Sequence, residues 1–206
     1  MKKTTINEKH SVTVETEIVC SSDGKYTYEV IKRFPGVDGQ KGIMVSLYPT
    51  RTKDNLYADD TTLNHVVGHM QDMGLSELHM VNLFAQVAEG KIKASELTID
   101  NENLKYLENI IGAPDFKEYV FIIAWGNSLA TSYPCLKSKY EVYKLLEKYV
   151  TKPFAYQINL EDHDIGVDFA HPLYLGIRGG RFRWTLEKKG VTEDLFPDPD
   201  LSKNKE

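Results

Sequence analysis

Four groups of side chains able to do chemistry follow runs of apolar residues. They are Ser46-Leu47-Tyr48-Pro49-Thr50, Asn82-Leu83-Phe84-Ala85, Ala124-Trp125-Gly126-Asn127 and His171-Pro172-Leu173-Tyr174-Leu175. Together they offer a phenol, an amide, an indole and an imidazole, groups that bind polar ligands by hydrogen bonding and stacking. Taken singly, none is specific: Asn82 also suits a turn, Trp125 a core position and His171 a surface one. Their order and their shared placement at strand ends make them a joint signal. Arg178, Arg181, Arg183, Lys188 and Lys189 lie within a dozen residues whose one acid is Glu187. That cluster is either a local phosphate-binding patch or an ordinary solvated face.

The elements that must position these groups are readable from periodicity. Ser11 to Phe34 alternates about the turn Ser21-Ser22-Asp23-Gly24, the pattern of an N-terminal β-hairpin over 11–34. Ile43–Leu47, Leu78–Phe84, Tyr119–Trp125 and Phe154–Leu160 read as buried strands. Between them, Leu63, Val66, Val67 and Met70 define one helix, Leu104 to Ile111 a second and Tyr140 to Leu146 a third. Alternating strands and helices predict an α/β three-layer sandwich with a central, mainly parallel four-stranded sheet, its ligand site at the carboxyl ends of the strands. A single domain over 1–190 is expected, followed by a Pro-, Asp- and Lys-rich tail over 191–206 that reads as disordered.

Composition narrows the function classes. The 206 residues carry a formal charge of −5, against a protein that coats nucleic acid through bulk electrostatics, so any DNA contact must be local. No apolar run approaches the roughly 20 residues of a membrane span, and Met1 to Asn7 lacks a signal-peptide core, so a cytoplasmic protein without membrane contact is expected. Cys20 and Cys135 lack metal-ligand spacing and read as reduced thiols. Neither a metal nor an organic cofactor is implied.

Over roughly Lys25 to Trp184 the motif order resembles the bacterial and phage family catalogued as domain of unknown function 1643, with its L-N-P-S-T, D-D-x-T, N-L-F-A, A-W-G and H-P-L-Y-L. The same order is similar to that of the uracil-DNA glycosylase superfamily, where D/N-P, L-L-N, L-W-G and H-P-S-P-L-S motifs end successive strands and form the last loop. This resemblance implies that Asn82 reads a pyrimidine edge, that His171 faces the base, and that Leu175 is a wedge inserted into the duplex. Pro49, Phe84 and Trp125 would line the base pocket, and Arg178, Arg181 and Arg183 would contact DNA.

The chemistry supplies a reason for those residue types. Cleaving an N-glycosidic bond leaves an anionic base, which a donor such as His171 stabilises. An amide complements a carbonyl and a ring N–H together. An apolar wedge offsets part of the unstacking cost of base extrusion. The departure is Tyr48, which stands where the glycosylases place Asp or Asn to position water. A phenol is a poor general base at neutral pH, and its bulk would occupy a base-docking space. Asp54, Asp59 or Asp60 would either replace the missing group or cap the helix at Thr61 or Thr62.

Three readings follow. One is a glycosylase-like protein with weak or lost excision that binds DNA or a partner such as a DNA-mimic glycosylase inhibitor. The second is an efficient uracil-type glycosylase. The third is a hydrolase or binder of free nucleotides that uses Trp125 and Phe84 for stacking.

Overall fold

The computed structural model describes residues 11–49, 60–88 and 92–202. Its elements are β1 (Glu15–Cys20), β2 (Thr27–Arg33), β3 (Gln40–Ser46), α1 (Thr61–His69), β4 (Leu75–Asn82), α2 (Asn101–Ile111) and β5 (Tyr119–Ile123). Then come α3 (Tyr133–Tyr149), β6 (Phe154–Leu160), α4 (Pro172–Gly179), β7 (Trp184–Gly190) and α5 (Pro199–Ser202).

Period-two alternation sorts the strand side chains onto two faces. Ile43, Val45 and Leu47 join Phe121, Ile123 and Trp125 on one face, under Leu107 and Ile111 of α2 and Val142 and Leu146 of α3. Met44, Val120, Ile122 and Ala124 point to the other, under Leu63 and Val66 of α1 and Leu175 of α4. Each fully buried Leu, Ile or Val contributes about 1.5–3 kcal/mol, so these two clusters fix which helices cover which face.

The strand order is β1-β2-β4-β3-β5-β6-β7. The pairings β4–β3, β3–β5 and β5–β6 are parallel, and β1–β2, β2–β4 and β6–β7 are antiparallel. The expected four-stranded sheet is therefore corrected to a seven-stranded mixed one. The N-terminal hairpin joins the edge of this sheet: Glu29 to Arg33 of β2 pair with Val81 to Glu77 of β4 and extend it. At the opposite edge β7 pairs along the whole of β6, and its half-exposed, charged sequence concealed it within the basic cluster.

The segment after Gly190 also differs from expectation. Val191, Phe196 and Pro199 are buried. Phe196 meets Trp125 edge-on at 5.1 Å and Phe169 at 5.7 Å between ring centroids. Lys137 of α3 bonds Asp200 at 2.9 Å. Residues 191–202 thus pack on α3 rather than forming a disordered tail, because one aromatic side chain finds an apolar seat among residues distant in sequence.

On the α2 side of the sheet, His79 of β4 bonds Glu29 through Nδ1 and Glu77 through Nε2, each at 2.7 Å, and Tyr106 of α2 donates its hydroxyl to Glu29 at 2.7 Å. No described helix is long and apolar enough to cross a membrane.

Candidate functional site

Two adjacent parallel strands bring the first polar groups together. Ser46 and Asn82 are register partners at the carboxyl ends of β3 and β4. Beyond them the chains stay coupled, since Leu83 N–H donates to the Ser46 carbonyl at 3.0 Å and Phe84 N–H to that of Leu47 at 3.2 Å. The fully buried Asn103 of α2 donates its side-chain amide to the main-chain oxygen of Asn82 at 2.7 Å, which fixes the end of β4. Two helix starts close the space above. Asp60 caps α1 by accepting the Leu63 N–H at 2.7 Å, and His171 caps α4. These ends surround a cavity of about 170 Å³, lined among others by Ser46, Tyr48, Pro49, Asp60, Asn82, Ser128, His171 and Leu173.

His171 is held in one proton arrangement. Its Nδ1 accepts the Leu173 N–H at 3.2 Å, and a backbone N–H can only donate, so the ring proton belongs on Nε2. That nitrogen lies 3.0 Å from Ser46 Oγ, to which it donates. Burial pushes the imidazole pKa down to about 4, so the ring is neutral at pH 7. A serine nucleophile activated by histidine needs the opposite arrangement, with Nε2 accepting the hydroxyl proton. The Ser46–His171 pair is therefore not a hydrolase dyad in this state.

The Trp-Gly turn after β5 braces His171 from behind. Gly126 takes φ +64°, and a Cβ there would come within 2.9 Å of His171 Cβ. Its N–H donates to the Phe169 carbonyl at 2.9 Å, and its carbonyl accepts from the buried Lys139 Nζ of α3 at 2.9 Å. Burial lowers the Lys139 pKa.

The structure gathers only some of the expected site residues. Tyr48, Pro49, Asn82 and His171 line the one cavity, and Asp60 lines it while also capping α1. Asp54 and Asp59 lie outside the described residues. Phe84 and Trp125, expected in the base pocket, are instead core residues, each 2% exposed. They point to the α2–α3 face, whereas the cavity opens toward α1 and α4, so neither can stack on a ligand there.

Leu175, expected as an inserted wedge, is corrected too. Residues 172–179 form a helix rather than a loop, and Pro172, Leu175, Gly176 and Gly179 make its buried stripe. Tyr174, Ile177 and Arg178 occupy its exposed side. Arg178 stacks on Tyr174 at 5.0 Å and Arg181 on Phe182 at 4.9 Å, both exposed, while Arg183 Nε sits 3.6 Å from Asp72.

Ser46 also lines the cavity, a position to which its motif alone assigns no role. Its signal was a small polar residue inside an otherwise apolar strand. The side-chain amide of Asn82, 7% exposed, makes no hydrogen bond among the described residues. No three His, Cys, Asp or Glu side chains among the described residues converge as metal ligands.

No curated protein and no solved structure matches the chain. The family described as "Protein of unknown function (DUF1643)" matches residues 30–173, more than half of the chain, and the protein belongs to that family.

Proposed function

We propose that the protein is a uracil-DNA glycosylase-like, base-binding protein whose excision activity is weak or lost. The observation that carries this reading is the convergence of a neutral His171 and an Asn82 amide, uncommitted among the described residues, on one small cavity. A volume of about 170 Å³ is well below the roughly 300–1,000 Å³ of sites for drug-sized ligands. It suits one heterocyclic ring, with sugar and phosphate left outside, as base extrusion requires. The amide complements a carbonyl beside a ring N–H. The half-buried Tyr48 occupies the wall where a water-positioning carboxylate or amide would stand. DNA is the favoured partner. Exposed Arg178 and Arg181 are left for phosphates, and a patch this small gives weak, salt-sensitive binding. A DNA-mimic inhibitor would use the same surface.

Asp60 favours a second reading, an efficient glycosylase, because its carboxylate lines the same cavity and could orient water. A free-nucleotide hydrolase loses its stacking groups, since Phe84 and Trp125 are buried.

The test is uracil release from single- and double-stranded oligonucleotides. Wild type should release little, and Tyr48→Asn should raise release, since water orientation contributes roughly 10²–10⁴ in rate. Asp60→Asn keeps a good helix cap and removes the carboxylate, so it abolishes release only if Asp60 serves as the base. Absence of release from both wild type and Tyr48→Asn, with no preference for uracil-containing over thymine-containing DNA, refutes the reading.

A further inference from the structure

We propose that Ser46 is the group that meets the bound ring: its hydroxyl donates to a carbonyl oxygen of the ligand, and His171 acts through it from behind. This rests on the base-binding reading above and names the contact within it.

The argument is an accounting of protons. Leu173 N–H occupies Nδ1 of His171, so the proton on Nε2 goes to Ser46 Oγ, 3.0 Å away. Ser46 Oγ therefore accepts from the imidazole, and its own proton has no acceptor among the described residues. Ser46 is 3% exposed and lines the cavity. A buried hydroxyl proton without an acceptor is costly, and the cavity is the direction in which an acceptor can arrive. An oxygen that already accepts a hydrogen bond is polarised into a stronger donor, so His171 strengthens Ser46 without touching the ligand.

Beside it, one strand over in the same register, the Asn82 amide is also uncommitted among the described residues. Two neighbouring groups, one a donor and the other able to accept, match a carbonyl oxygen adjacent to a ring N–H, as in an oxo-pyrimidine. The same donor would stabilise negative charge gathering on that oxygen if the ring left as an anion. Ser46 is the specificity contact, and His171 is a positioning and polarising residue.

The test uses the full chain and free uracil as the probe. Ring ¹⁵N resonances of His171 at pH 7 should show the proton on Nε2 and a bare Nδ1, in wild type and in Ser46→Ala alike, because Leu173 fixes the tautomer. An NMR titration with uracil should show binding about tenfold weaker in Ser46→Ala, the loss of one well-made hydrogen bond. Ser46→Ala also takes the acceptor from the His171 Nε2–H, so a modest fall in thermal midpoint is expected, and a circular dichroism spectrum and amide dispersion matching wild type separate the lost contact from a lost fold. Ser46→Cys, a weak donor, should fall between the two. A proton on Nδ1, or equal uracil affinity in wild type and Ser46→Ala, overturns the assignment of Ser46 and leaves the base-binding reading standing. Failure of wild type to bind uracil, free or in DNA, with the tautomer as stated, overturns both.

Discussion

Replacement of His79 by leucine tests the most concentrated electrostatic feature of the fold. Both ring nitrogens lie 2.7 Å from carboxylate oxygens, which can only accept, so the ring must carry both protons as an imidazolium. Burial penalises that cation, but the hydrogen bonds and charges of Glu29 and Glu77 outweigh it, and the pKa is raised. Both carboxyl groups are held below their ordinary value, chiefly by their bonds to His79, against the opposing effect of burial.

The other charged or titratable groups facing the cluster are Arg33 at 3.5 Å and Lys41 at 3.7 Å from Glu77, Tyr106 on Glu29, and Tyr119 edge-on to the imidazole. The side chains of His79, Glu29 and Glu77 are only 14%, 9% and 15% exposed, so solvent screens them little. Removing one partner from a buried ionic network costs about 3–5 kcal/mol. Arg33, Lys41 and Tyr106 still satisfy part of the two carboxylates, so the lower end, about 3 kcal/mol, is expected. For a chain of this size that is a fall of about 6–12 °C in thermal midpoint.

The sign with pH follows from the shifts. The raised histidine contributes fully below its ordinary pKa of about 6.5 and loses its contribution as pH climbs through the folded value. The lowered carboxylates contribute above about 4.5 and lose theirs as pH falls through their folded values. The gap between wild type and His79→Leu should therefore be widest between about pH 4.5 and 6.5 and shrink toward pH 9. Urea denaturation followed by circular dichroism at pH 6 and pH 9 measures it. A cost below about 1 kcal/mol at pH 6, or an equal cost at both values, would refute the imidazolium assignment.

Leu175→Ala should cost about 2–5 kcal/mol by urea denaturation, as for a core leucine, whereas Ile177→Ala, 72% exposed, should change stability by no more than about 0.5 kcal/mol. The reverse ranking would return Leu175 to the surface. Phe196→Ala should cost about 3 kcal/mol and red-shift tryptophan fluorescence by admitting water to Trp125; an unchanged spectrum would show that the C-terminal segment does not cover that ring.

The strands that hold the site were legible because their residues leave no alternative. Ile43–Leu47 and Tyr119–Trp125 are almost wholly apolar, as strands covered on both faces must be. Helix α1 announced itself through the spacing of Leu63 and Val66 and the acid before Thr61, which does cap it. Strand β7 was hidden because an edge strand needs few buried residues, and Glu187, Lys188 and Lys189 read as a charged patch. Helix α4 was hidden because Pro172 and the glycines Gly176, Gly179 and Gly180 look like a loop. Packing explains two of those glycines: a Cβ on Gly176 would lie 2.2 Å or less from the His65 ring, and one on Gly179 2.1 Å from Leu160.

For the site itself, the sequence determined which donors and acceptors stand at the strand ends: Tyr48, Asn82 and His171, with Ser46 a small polar residue among apolar neighbours. Those are properties of residue type and local period, which a short window carries. Only the tertiary structure decided that Ser46 and Asn82 share a register, that a backbone N–H from Leu173 sets the tautomer of His171, and that Trp125, Phe84 and Leu175 face the core. Proton placement and burial depend on what approaches from chain segments up to 125 residues away, as for the Ser46–His171 bond, and no local pattern encodes that approach.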